Sequence, residues 1–447
     1  MGGLQGDKMR KKYKAIFIVR KINDMDHMLP IIYQFIETNN NVRVVTLDIK
    51  KIENYLTNYM RNKLGVTVET PVLDSMNVFT KYFISACDIL LFFVKNKNWS
   101  RFSKYLEYAY LKLKKYILAY EDSKDKTCNT IFDCSNTDII VVDKTNVIKN
   151  KIYKNITRHA STNNIPIIRI QHGINTIKIN KDIESEKDPY ILVHDYGGEV
   201  YETYYSLTEA YQYQLDCLKN GFSKKIRKDK IMQYVLGNMR YSKNWIDKYK
   251  EIQKFDEVED PNLDLNKKTI LIIMSASHFI YIDKVASLID FISSRLDINI
   301  IYKPHTRKEE IDYKIKDMVN NDVDIVYSYK CTASLIDISD LVLVCGISSA
   351  AIHSVISLKP TVFAEYVSRR KTYYSEYFRE CTTMSKQETL RNIENALNNG
   401  TTCDYAYDFM REFIDPNDSD NIIQDYYDLI CNIIENSNNI NKNKAIC

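Results

Sequence analysis

Short apolar runs rich in β-branched side chains alternate with longer stretches of helical periodicity along the whole chain. The pattern predicts strands at Ala15–Val19, Val42–Leu47, Ile89–Val94, Ile139–Val142, Ile165–Ile170 and Ile191–Val193. A second series follows at Gln233–Leu236, Thr269–Met274, Ile298–Tyr302, Ile325–Tyr327, Leu341–Val344 and Thr361–Phe363. Most of these runs are hydrophobic at every position rather than at every second one. Parallel strands covered by helices on both faces require that pattern. Between them, Met28–Thr38, Arg101–Tyr120, Ile282–Leu296 and Ala350–Leu358 read as helices. Strand–helix–strand alternation implies right-handed crossovers, hence an α/β protein with doubly wound parallel sheets.

At 447 residues the chain exceeds one ordinary core and fits two domains. The basic run Lys224–Lys230 marks a junction near residue 228. The expected division is an N-terminal domain over 1–228, a C-terminal domain over 229–415, and a segment over 416–447. In that last segment the helix Ile422–Glu435, following Pro416, returns toward the first domain, and Asn436–Cys447 frays. A net charge of +4 argues against a dedicated nucleic-acid binder, so no nucleic-acid partner is expected. The ten cysteines are scattered without a CxxC pair, which suits reduced thiols in a cytosolic protein. The longest apolar run, Ile89–Val94, is far too short to span a bilayer, and the N-terminus lacks an export signal. A cytoplasmic protein is expected. The basic stretch Lys8–Lys14 permits peripheral contact with the inner membrane face.

Parallel sheets bind ligands beyond the carboxyl ends of their strands, so the residues just after each strand carry the candidate chemistry. After Leu341–Val344 come Gly346, Ser348 and Ser349 and then an Ala-rich helix. Gly346 tolerates an unusual backbone geometry, and the serines either cap the helix or, with its N-terminus, receive a phosphate. After Ile298–Tyr302 stand Lys303, Pro304, His305 and Arg307, which suit a diphosphate or form a solvated turn. The strand ending at Ile170 delivers Gln171, His172 and Gly173, placing a histidine where a general base or a structural side chain can sit. Asp24, Asp26 and His27 follow the first strand. Asp26 is a good N-cap with Pro30 in the first turn, and no further ligand pattern supports a metal at Asp24 and Asp26. Gly237, Asn238 and Arg240 follow the strand at Gln233–Leu236, either at the mouth of a cleft or as an ordinary turn.

Taken in order, Gln171-His172-Gly173, Gly237-Asn238-x-Arg240, Lys303-Pro304-His305, and Ser348-Ser349 before Lys359-Pro360 resemble bacterial transferases of surface polysaccharides with the GT-B fold. The group most similar is that of CDP-glycerol glycerophosphotransferases and related capsular glycosyltransferases, over roughly residues 165–365. The resemblance implies two Rossmann-like domains facing across a cleft, with an acceptor domain first and a nucleotide-donor domain second. It implies that His172 is the base; their positions after the strands place Asp26 and His27 with it on the catalytic side, and Asp24, Gln171 and Gly173 on the acceptor side. Gly237, Asn238, Arg240, Lys303, His305, Arg307, Gly346, Ser348 and Ser349 would serve the donor and its phosphates. Thr306 stands where the family carries a second proline, and Gly346-Ile347 where it carries Asp-Tyr, so a hexose or sialic-acid-type donor stays open. The implied substrates are a CDP-, UDP- or CMP-linked donor and a glycan or polyol-phosphate acceptor, with no obligatory cofactor and no metal. Two alternatives share the scaffold: a UDP-sugar 2-epimerase, and a non-catalytic partner in a polysaccharide assembly complex.

Overall fold

The computed structural model describes residues 12–19, 22–46, 54–70, 112, 137–143, 156, 159–171, 200–204, 231–304, 311–320, 323–400 and 406–446. Two all-parallel sheets organise the chain. The first comprises β1 (Lys14–Val19), β2 (Asn41–Thr46), β3 (Val68–Glu69), β4 (Ile139–Asp143), β5 (Ile167–Ile170), β6 (Val200–Tyr204) and β7 (Ile231–Val235). The second comprises β8 (Lys268–Met274), β9 (Ile298–Lys303), β10 (Ile325–Tyr327), β11 (Leu341–Cys345), β12 (Thr361–Ala364) and β13 (Thr382–Thr383). The spatial order is β3-β2-β1-β4-β5-β6-β7 in one and β10-β9-β8-β11-β12-β13 in the other. Both follow the same doubly wound plan, with the direction of winding reversing between β1 and β4 and between β8 and β11.

The continuous apolar runs have a direct physical reason. Along β8, Ile270, Ile272 and Met274 enter one buried cluster while Leu271 and Ile273 enter another on the opposite face. β11 divides likewise, with Leu341, Leu343 and Cys345 on one side and Val342 and Val344 on the other. Over these stretches neither face meets water, so consecutive positions are apolar; on β8 the polar Lys268 and Thr269 stand only at its start. Each buried Ile, Leu or Val is worth roughly 1.5–3 kcal/mol relative to exposure.

The described helices are α1 (Ile22–Glu37), α2 (Tyr55–Lys63), α3 (Lys243–Gln253), α4 (Ile282–Ser293), α5 (Ile311–Met318), α6 (Thr332–Ile338), α7 (Ala350–Ile356), α8 (Tyr374–Tyr377), α9 (Lys386–Asn399), α10 (Ala406–Phe413) and α11 (Ile422–Ile446). On the second sheet, α4, α5 and α9 cover one face, and α6, α7, α8 and α10 cover the other.

Three expectations change. The strand after the basic run is the edge of the first sheet, where Val200–Tyr204 pairs in register with Ile231–Val235. A domain beginning at 229 would therefore cut off the first sheet's last strand. The chain instead leaves the first sheet after β7. Helix α1 starts at Ile22, so Asp26 lies inside it rather than capping it, and Pro30 sits mid-helix. The terminal helix runs to Ile446 rather than fraying after Glu435. It packs on α1: Ile422, Ile423, Tyr426, Tyr427, Ile430, Ile433 and Ile434 share the first core with Met25, Leu29 and Phe35. Tyr427 meets Phe35 edge-on at 5.0 Å, and the Tyr13 hydroxyl donates to Glu435 at 2.7 Å. The predicted strands Ile89–Val94 and Ile191–Val193 and the helix Arg101–Tyr120 lie outside the described residues, apart from Lys112 within the helix. Cys331, Cys345, Cys381 and Cys431 are free thiols. Among the described residues no helix is long and apolar enough to cross a membrane.

Candidate functional site

Each sheet has one place where neighbouring crossovers leave on opposite faces, and a crevice opens there beyond the strand ends. In the first sheet that place lies between the ends of β1 and β4, next to Asp24, Asp26 and His27 and to the buried Asp143. In the second it lies between the ends of β8 and β11, next to Ser275–His278 and Gly346–Ser349.

Arg240 and Tyr241 join the two places. A short 3-10 turn, Met239–Tyr241, follows β7, and Asn238 begins it by accepting the Arg240 N–H at 3.1 Å. From this turn Arg240 reaches Asp26 on α1 at 2.6 Å. It also donates to the Tyr241 hydroxyl at 3.0 Å, and that hydroxyl donates to the Ser349 carbonyl at 2.9 Å. Tyr249 on α3 lies beneath the guanidinium, 5.9 Å from ring centre to its carbon, and its hydroxyl is 2.9 Å from that of Tyr55 on α2. One polar chain thus runs from α2 and α1 of the first domain to the start of α7 in the second. Burial pushes the Asp26 carboxyl up, against the pull of Arg240, while Asp26 drives Arg240 well above its ordinary value. Burial also raises the Tyr241 and Tyr249 phenols, so both stay neutral donors.

At the β11 end, Gly346 has φ +86°, and a Cβ there would stand 2.4 Å from Ile280 Cγ2 and 3.0 Å from Ser275 Cβ. The glycine is needed because the loop after β8 presses against it. Ser348 and Ser349 are half-buried, and Ser349 makes no side-chain cap on α7. Their carbonyls are fixed from behind by two buried tyrosines, Tyr374 donating to Ser348 at 2.7 Å and Tyr241 to Ser349. The helix itself is only seven residues long. Its dipole adds little, and the serine hydroxyls are the groups available to a ligand.

The remaining candidates divide by what they touch. Gly237, φ +88°, has no room for a Cβ, which would meet the Ile414 carbonyl at 2.4 Å. Asn238 donates its N–H to that same carbonyl at 2.7 Å, and Tyr426 donates to the Gly237 carbonyl at 3.0 Å. Gly237, Asn238 and Arg240 therefore form the joint where the chain crosses between domains, with the Gly237 carbonyl, the Asn238 N–H and the Arg240 guanidinium each held by a protein group. Lys303 is also engaged: its ammonium donates to the carbonyls of Tyr329 and Lys330, at 2.9 and 2.5 Å, and burial lowers its pKa. Asp24, His27 and Gln171 are buried at the first sheet's C-terminal edge. His172, Gly173, His305 and Arg307 lie outside the described residues.

Sequence reasoning missed Ser275, whose hydroxyl is buried with no hydrogen-bond partner beside Gly346. The signal was present, since Ser275-Ala276-Ser277-His278 follows a strand as directly as the serines after β11 do. Tyr241 and Tyr374 had no local signal, because each acts on a backbone carbonyl far along the chain.

No protein-family model matches the sequence, and no functionally described relative matches it either. Among solved structures, the chain is similar to a Listeria monocytogenes protein assigned as a UDP-N-acetylglucosamine 2-epimerase. The TM-score is 0.51 at 11% identity, over 93% of this chain and 94% of that one. A glycosyltransferase from Rickettsia africae aligns with a TM-score of 0.48 at 12% identity, over 95% of this chain and 100% of that one. The glycosyltransferase SnogD from Streptomyces nogalater aligns at 0.46 and 10%, over 94% and 100%. The protein is an α/β protein with two Rossmann-like domains in the GT-B arrangement.

Proposed function

We propose that this chain transfers a sugar or polyol phosphate from a nucleotide-activated donor to a surface-glycan or teichoic-acid-like acceptor. One observation carries the reading: Arg240 and Tyr241 tie the α1 segment after β1 to the Ser349 turn after β11. The ligand-accepting edges of the two sheets thereby meet across one crevice, as two-substrate transfer requires. In this reading Ser348 and Ser349, with Ser275 beside them, hydrogen-bond the donor's leaving phosphate. The tyrosine contacts on the two carbonyls hold that turn in place before the charge develops, which is when fixed dipoles are most effective. His172 removes the acceptor hydroxyl proton, and Asp24, Gln171 and Gly173 shape the acceptor side. His305 and Arg307 add positive charge near the diphosphate, while Lys303 keeps the adjoining loop in position. The donor is CDP-, UDP- or CMP-linked, and no obligatory cofactor or metal is included. The chain works in the cytoplasm, in peripheral contact with the inner membrane face.

The test is a thermal-shift screen with CDP, UDP, GDP and CMP, repeated on Ser348→Ala/Ser349→Ala. A ligand at 100 times its Kd adds about 2.7 kcal/mol, a shift of several degrees in Tm. One nucleotide should stabilise the wild type and not the double variant, and His172→Ala should retain that shift while losing ~10²-fold or more in turnover. No shift with any nucleotide would sink the proposal and favour a non-catalytic assembly partner. The likeness to the Listeria protein favours a second reading, epimerisation of a UDP-sugar. A changed sugar released without any acceptor would establish it over transfer.

A further inference from the structure

The loops after β8 and β12 form a clasp over the end of β11, the strand that lies between them. Ile280 and Ser368 pair in an antiparallel bridge. The Tyr281 N–H donates to the Val367 carbonyl at 2.9 Å, and the Arg369 N–H to the Phe279 carbonyl at 2.7 Å. Arg369 Nε adds a bond to the Ile280 carbonyl at 2.8 Å. Behind the clasp the buried Glu365 accepts the Thr372 N–H and hydroxyl at 2.7 and 2.8 Å, which fixes the far end of the second loop. The backbone here is braced at both ends.

What the clasp displays is four exposed cations: Lys284, Arg369, Arg370 and Lys371. Lys284 and Arg369 both lie over the ring of Tyr281, at 4.4 and 5.1 Å from its centre, and Arg370 lies over Phe279 at 5.5 Å. Tyr281 is 38% exposed, so its ring reaches solvent among the charges. The His278 ring lies tilted beside Phe279, with centres 3.9 Å apart, and is exposed as well. Among the described residues none of the four cations forms an ion pair, and Asp283, in the same turn as Lys284, is paired with none of them. Like charges gathered without counter-charges repel one another and gain nothing within the fold. A surface that supplies the anions reverses that sign.

From this clasp we infer that Lys284, Arg370, Lys371 and Tyr281 dock the chain on an anionic phospholipid surface. Cations side by side with an exposed aromatic ring match a headgroup layer, where phosphates take the charges and the ring settles at the interface. The clasp rises from the same sheet edge as the Ser348–Ser349 turn, so docking there brings the crevice to the lipid layer. The inference gives the membrane contact proposed above a definite surface, and its test does not depend on catalysis.

Full-length protein is sedimented with phosphatidylglycerol-containing vesicles and with pure phosphatidylcholine vesicles, alongside the variant Lys284→Gln/Arg370→Gln/Lys371→Gln. A control variant, Lys243→Gln/Lys254→Gln/Arg391→Gln, removes the same charge from exposed positions elsewhere. Arg369 is left in place because it braces the clasp. Each Lys or Arg near an anionic surface contributes ~1 kcal/mol, roughly fivefold in partition, so the clasp variant should bind about a hundredfold more weakly. The control should lose far less, and added salt should release the wild type. Equal binding to neutral vesicles, or equal losses in the two variants, would overturn the inference. Retained vesicle binding by the clasp variant would do so too, moving the contact to another basic run such as Lys8–Lys14. The nucleotide thermal shift is read on the same samples. If the clasp variant loses that shift and keeps vesicle binding, the cations belong to the donor site and the inference fails. If no protein shows a nucleotide shift but vesicle binding follows the clasp, the docking surface stands and the transferase reading fails.

Discussion

Replacing Arg240 with methionine removes the cation that holds Asp26 while keeping most of the side chain's volume. The pair is mostly out of water, with side-chain exposures of 18% and 9% and a contact of 2.6 Å. At an effective dielectric near 20, opposite charges about 4 Å apart attract by roughly 4 kcal/mol. Breaking a buried pair by deleting one partner costs about 3–5 kcal/mol, because the other charge is left desolvated. Asp26→Asn should cost a similar amount, since Arg240 then has only Tyr241 and the ring faces around it. In the double variant neither charge remains, and the loss should fall to about 1–2 kcal/mol. With single losses of about 3–5 kcal/mol each and a double loss of about 1–2 kcal/mol, the coupling energy is about 4–9 kcal/mol, measurable in a double-mutant cycle by urea unfolding. Trp245, buried in the same core as α1, reports the transition by fluorescence. The pH dependence adds a second readout. Without Arg240 the already raised Asp26 pKa climbs further. A raised carboxyl stabilises the folded state below its unfolded pKa and loses that contribution as pH rises through the folded one. Arg240→Met should therefore fall further behind the wild type as pH rises. Additive single losses, or a coupling below about 0.5 kcal/mol, would refute the reasoning.

Other sites give sharper single tests. His353 on α7 is buried and its pKa is pushed down to about 4, by burial first and then by Arg240 and Lys250. A depressed histidine stabilises above its unfolded pKa, so up to about 3 kcal/mol should be lost as pH falls from 6.5 toward 4. His353→Phe should flatten that acid limb in pH-dependent urea titrations. Gly237→Ala sets a Cβ against a backbone carbonyl at positive φ, which cannot give way as a side chain can. It should lower stability by about 2–4 kcal/mol, read as a drop in Tm. Tyr374→Phe removes the bond to the Ser348 carbonyl and leaves the ring against Phe363. Nucleotide affinity should fall several-fold, with a stability loss of about 1 kcal/mol by calorimetry.

The parallel sheets were legible because burial on both faces writes itself into consecutive residues, as in Thr269–Met274 and Leu341–Val344. Edge strands carried less of that signal. Val200–Tyr204 places Glu202 and Thr203 in its middle, which breaks the continuous apolar run that marks the central strands. For Gln233–Leu236 the run was found but its sheet was not, since which sheet a strand joins depends on contacts outside the strand. The α1 start was misplaced because Asp26 looks like a cap. Its carboxylate is instead turned to an arginine more than two hundred positions away. Rules of position after a strand point to Gly346, Ser348 and Ser349, and applied to β8 they point to Ser275. No such rule reaches the tyrosines behind the serine turn, because the Tyr241 contact spans 108 residues and the Tyr374 contact 26.

The return of α11 to the first core has a consequence for how the chain is made. The apolar side of α1 and the strands behind it are covered by Ile422–Ile434, which is synthesised long after β7, the last strand of that sheet. Translation at about 5–20 residues per second separates β7 from that cover by roughly 10–40 s. The second domain, complete in sequence between β8 and α10, is finished first. On the ribosome the N-terminal half waits with an open flank, and the C-terminal half, though begun later, closes before it.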